Sequence, residues 1–73
     1  MIDESKNQRF KRLAQQRGNR ILNDINLLGN LSNNNNYTYT EQEVNKLFYI
    51  IEDELKRAKW RFKTNKKRKE INL

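Results

Sequence analysis

The side chains best suited to chemistry crowd into the last quarter of the chain. Residues 56–73 hold nine basic side chains, Lys56, Arg57, Lys59, Arg61, Lys63, Lys66, Lys67, Arg68 and Lys69, against Glu70 alone. Cations are favoured in the last turn of a helix, but that accounts for two or three of these, not nine. Trp60 stands in the middle of the run. At about 100° per residue, Tyr49, Lys56, Trp60, Lys63 and Lys67 fall on one strip of a helix. Aromatic and cationic groups interleaved on one exposed strip can stack bases and neutralise phosphates. The plainer readings are a solvated lysine-rich helix end and a Trp that anchors a protein interface, where Trp and Arg are enriched.

Nucleic-acid contact is therefore expected at Lys56, Trp60, Arg61, Lys63, Lys66, Lys67 and Arg68, with Arg9 and Arg12 assisting from one flank of an earlier helix that also carries Arg20. The contact should be directed at the backbone and weakly sequence-specific, because no recognition-helix motif is present. DNA is the favoured form over RNA.

Catalytic constellations are missing. The chain has no His and no Cys, so the usual base, thiol nucleophile and zinc ligands are absent. Ser5 and Ser32 fall at a helix start and in a turn with no base to activate them. Glu52, Asp53 and Glu54 could suggest a magnesium site, but three consecutive helix positions point in different directions and cannot converge on one ion. A non-enzymatic chain with no metal and no cofactor is expected.

Composition sets the class of partner. The 73 residues carry 16 basic and 9 acidic groups, a formal charge of +7, and the isoelectric point is near 10.0. Such a balance favours anionic partners, nucleic acid ahead of an acidic membrane surface. A membrane partner is not expected: no apolar run approaches the roughly 18 residues needed to span a bilayer, and the apolar stripes are required elsewhere. The opening Met1-Ile2-Asp3-Glu4 lacks the basic and apolar regions of a signal peptide. With the absence of Cys, this leads to the expectation of a cytoplasmic chain.

Two helices must position these groups. The first is expected over about 6–28, capped by Ser5 with Gln8 at capping-box spacing, Asp3 being a competing cap. Phe10, Leu13, Ala14, Ile21, Ile25 and Leu28 form its apolar stripe. Gly29 is expected to stop it from the left-handed position past the end, while Gly18 is a weak point in the middle. Arg17 and Asp24 intrude on the stripe. An ion pair setting register between facing helices is the first reading of Arg17, with Glu52 or Glu54 opposite, and a ligand-lining role the second.

Residues 29–40 form an asparagine-rich connection, with 33–36 as a solvated turn and Tyr37-Thr38-Tyr39-Thr40 as extended coil. The second helix is expected over about 41–66, followed by a basic tail over 67–73. Thr40 and Glu43 have capping-box spacing, and Tyr39 and Val44 that of a hydrophobic staple. Val44, Leu47, Phe48, Ile51, Leu55, Ala58 and Phe62 recur at helical spacing.

Matched lengths and a connection of about 12 residues favour an all-α antiparallel hairpin. A chain this short buries little of its surface and has no disulfide to help. Its expected interface is Phe10, Leu13, Arg17, Ile21, Ile25, Val44, Phe48, Ile51, Leu55 and Phe62. Two single-striped helices leave this core open on one side. A second copy completing a four-helix bundle, or a partner protein, would close it.

At Arg12-Leu13-Ala14-Gln15-Gln16-Arg17, Leu28-Gly29-Asn30-Leu31-Ser32-Asn33 and Asn36-Tyr37-Thr38-Tyr39-Thr40 the chain resembles a family of short proteins encoded on mobile genetic elements of low-GC Gram-positive bacteria. The likeness covers about residues 9–62, and the Gly-Asn-Leu-Ser-Asn…Tyr-x-Tyr-Thr connection is its most specific part. Within this group the chain looks similar to the small middle proteins of the staphylococcal cassette chromosome replication operon. The resemblance implies an accessory subunit that binds an A-family DNA polymerase and enables it to start primers, with the polymerase chemistry in the partner.

Overall fold

The computed structural model describes residues 4–65 and is all-α, with no strand among the described residues. Helix α1 spans Lys6–Asn30 and helix α2 spans Glu41–Asn65. Each is 25 residues long, or about 37 Å at 1.5 Å per residue. The chain divides into two units, Met1–Thr38 and Tyr39–Leu73, with one helix in each.

Both helices start at reciprocal caps. The Ser5 Oγ accepts the Gln8 N–H at 3.1 Å, and the Gln8 Oε1 accepts the Ser5 N–H at 2.9 Å. Ser5, in an extended conformation, is therefore the cap, rather than Asp3. At α2 the Thr40 Oγ1 accepts the Glu43 N–H at 3.1 Å, and a Glu43 carboxylate oxygen accepts the Thr40 N–H at 2.9 Å. These bonds satisfy backbone donors that the first turn of a helix leaves without partners.

The end of α1 differs from expectation. The helix runs through Leu28 and Gly29 to Asn30, and no glycine has a positive φ among the described residues. Tightened turns close it instead: the Leu31 N–H reaches the Leu28 carbonyl at 3.1 Å and the Ser32 N–H the Gly29 carbonyl at 3.1 Å. Glycine permits the left-handed stop but does not compel it. Here the chain turns two to three residues later, where asparagine supplies the bonds. The Asn33 Oδ1 accepts the Asn35 N–H at 3.0 Å, and the Asn33 carbonyl accepts the N–H groups of Asn36 at 3.1 Å and Tyr37 at 3.0 Å. Residues 37–40 have no regular secondary structure.

Each helix carries its apolar stripe without burying it. Leu13 and Leu28 on α1, and Val44, Ile51 and Ala58 on α2, are the stripe positions that are partly covered. Phe10, Ile21, Ile25, Phe48, Leu55 and Phe62 are exposed, and no described residue is fully buried. A lone helix cannot remove its own stripe from water, because its neighbours three and four residues away lie beside the stripe, not over it. No helix among the described residues is long and apolar enough to cross a membrane.

Candidate functional site

Helix α2 presents two faces of different chemistry. Trp60 lies about 160° round the helix from Val44 and Phe62, so it points away from the stripe. Its neighbours one turn before and after on that side are Lys56 and Lys63. Together with Lys59 these residues line an open concavity of about 220 Å³. Trp60 is 63% exposed and is the one aromatic side chain among the four that line the concavity.

Lys59 was absent from the sequence-derived candidates because its Cα lies on the flank of the stripe. It is three residues from Lys56 and four from Lys63, and its flexible stem spans that offset. The long stem is the signal that a wheel of Cα directions does not carry. Arg61 belongs elsewhere: it projects about 100° from Trp60 and does not line the concavity. Lys66, Lys67 and Arg68 lie outside the described residues.

Asp53 approaches the strip from its N-terminal side and is held in an ion pair with Arg57, Oδ2 to Nε 3.1 Å, at i,i+4 spacing. Lys56, Lys59 and Lys63 have no ion pair with another described residue. Next to the site, the Thr64 Oγ1 donates back to the carbonyls of Trp60 at 3.1 Å and Arg61 at 3.3 Å. This turns a polar side chain onto its own backbone. Tyr49, farther up the strip, is 71% exposed.

On α1 the two assisting arginines differ. Arg12 is bound to Glu4, Nε to Oε2 at 2.9 Å and the second guanidinium nitrogen to Oε1 at 3.0 Å. The Arg12 hydrogen bond holds the Glu4 carboxyl below the ordinary range, and the same bond raises Arg12 above its own. Arg9 is exposed and has no ion pair with another described residue. Arg17 is also exposed on the stripe side, and neither it nor Asp24 is ion-paired to a described residue. Among the described residues, no group of acidic side chains converges as a metal site would require.

No family model, no curated protein and no solved structure matches this chain.

Proposed function

We propose that this chain is a non-enzymatic accessory protein that holds nucleic acid, DNA ahead of RNA, on the basic half of α2 while its apolar stripes dock on protein. The observation that carries the reading is Trp60, 63% exposed on the face away from the stripe and flanked by Lys56, Lys59 and Lys63 around one concavity. Packing of the stripe gives no reason for an indole there, whereas phosphate and base together do. Chain chemistry supports the non-enzymatic half, since neither His nor Cys is present.

Each helix carries an apolar stripe that is exposed or only partly covered, and a second copy or a partner protein is the surface that would cover it. Under the resemblance described above, that partner is a DNA polymerase whose primer synthesis the chain supports, and the system belongs to a mobile element.

Size-exclusion chromatography with light scattering, run with and without a labelled oligonucleotide, tests both halves. The expected result is a dimer that co-elutes with the oligonucleotide at low salt and releases it as salt rises. An oligonucleotide that elutes alone at low salt overturns nucleic-acid binding. A second reading, a module that binds only protein, draws on the exposure of Tyr49 as well as Trp60. It predicts loss of a protein partner on Trp60→Ala with no effect of lysine neutralisation.

A further inference from the structure

We infer that the concavity around Trp60 takes a single strand, with one unpaired base stacked on the indole and the adjoining phosphates held by Lys56, Lys59 and Lys63. This inference rests on the nucleic-acid reading above and narrows it from nucleic acid in general to a strand whose bases are free.

Three features select the single strand. First, a nucleic acid covers an indole face best with the flat face of a base. In a duplex the base faces are already stacked on one another, and only edges and phosphates remain accessible. A duplex would engage the lysines and leave Trp60 in water, 63% exposed as it is in the structure. Second, the concavity has no planar fork for reading base edges. The planar side chains of Arg, Asn and Gln that present two fixed groups to one base edge are absent from the lining, which is Lys56, Lys59, Trp60 and Lys63. Lysine ammonium groups are compact charges on flexible stems, suited to phosphates without fixed direction. Third, the charges run along the helix instead of across it. Lys56 and Lys63 are separated by about 10.5 Å of helix axis, and Trp60 lies between them. A backbone that follows this line passes a cation, a stacking surface and a second cation in order, as single-strand grooves require.

Trp60 is the single tryptophan of the chain, so intrinsic fluorescence reports on this site alone. The full-length protein is titrated with three probes of equal length: a thymidine 12-mer, an abasic 12-mer with the same sugar-phosphate backbone and no bases, and a 12-base-pair duplex. The expected result is strong quenching with the thymidine strand, little quenching with the other two, and tighter binding of the thymidine strand than of the abasic one. Trp60→Ala, followed by anisotropy of a labelled thymidine strand, should weaken binding roughly 5- to 150-fold, the span of one base stacked on an aromatic side chain. Converting Lys56, Lys59 and Lys63 to Gln should flatten the slope of log affinity against log salt by about 2, at about 0.7 for each phosphate contact on a single strand. Circular dichroism of each variant checks that α2 is retained. Equal affinity for the abasic and thymidine strands, or tighter duplex binding without quenching, overturns the single-strand inference and leaves nucleic-acid binding standing. Absence of binding to all three probes overturns both.

Discussion

Arg12 and Glu4 are joined by two hydrogen bonds, 2.9 and 3.0 Å, across eight positions of chain. Glu4 precedes the cap of α1, so its side chain folds back along the first two turns to meet the guanidinium. The paired geometry matches the fork of Arg to the two oxygens of a carboxylate. One consequence is electrostatic: the Arg12 charge is already answered within the chain, and the Arg9 charge is not answered by any described residue.

Glu4→Gln should therefore release Arg12 for phosphate. Oligonucleotide affinity should rise, and the salt slope should steepen by up to about 0.7, one additional contact. Arg9→Gln should weaken binding more than Arg12→Gln does in the otherwise unaltered chain. Anisotropy at several salt concentrations measures all three. An unchanged Glu4→Gln variant, together with Arg12→Gln as costly as Arg9→Gln, would show that the pair does not hold Arg12 in solution.

Gly29 gives a stability test with opposite expectations from sequence and structure, and Gly18 one on which the two agree. A left-handed Gly29 would make alanine strained, yet Gly29 lies inside α1 with a negative φ. A Cβ built at Gly29 or at Gly18 meets nothing within 4 Å. Each Gly→Ala change should stabilise by about 0.5–1 kcal/mol through helix propensity and reduced freedom of the unfolded chain. At about 4–8 °C per kcal/mol for a domain of this size, that raises the melting temperature by a few degrees. A fall at Gly29 would restore the left-handed stop. A fall at Gly18 would reveal another chain packed close against it.

These residues also mark what local pattern could and could not reveal. Both capping boxes and the Asn33 turn were legible because every partner lies within four residues, where spacing dictates geometry. The glycine stop misled because the residue type grants a conformation that the asparagines made unnecessary. Pairing of Arg12 was hidden because it needs a side chain from outside the helix to fold back. Lys59 was missed because reach, not Cα direction, brings it beside Trp60. The stripes announce that apolar surface must be covered, but they do not encode the register or the identity of the covering surface.

Glu43 ties the start of α2 to pH. Its carboxylate accepts the Thr40 N–H and lies below its ordinary range, chiefly through that backbone hydrogen bond. Because the folded value is depressed, the stabilisation is complete above the unfolded value and is lost as pH falls through the folded one. Helicity at 222 nm should decline on acidification below the usual glutamate range, and less so in Glu43→Gln. That variant should begin with lower helicity at neutral pH. Glu4 titrates in the same direction, so the comparison belongs in a Glu4→Gln background. Thr40→Ala, which removes the reciprocal half of the box, should cost about 1 kcal/mol. Identical acid profiles for both chains would remove the cap from the account of α2.

The stripe on α2 supplies the remaining test. Phe48 and Ile51 sit at its centre, Phe48 exposed and Ile51 only partly covered. Fully burying one such side chain is worth about 1.5–3 kcal/mol, a large share of the stability open to a chain of 73 residues. If a second copy covers the stripe, association and folding are linked, and the melting temperature must rise with protein concentration. Ile51→Asp should abolish that dependence and leave a monomer of low helicity, because the charge would have to be buried without a partner. Tyr49→Asp, two residues away on the opposite face, should leave the dimer intact. Arg17→Leu separates the roles open to Arg17: a lower melting temperature fits an ion pair at the helix seam, whereas an unchanged or higher one with lost binding assigns Arg17 to the ligand. Light scattering and thermal melts over a hundredfold range of concentration read these outcomes. A concentration-independent melt of the unaltered chain, unaffected by Ile51→Asp, would mean that the stripe is not covered by a second copy, and would leave it to the protein partner.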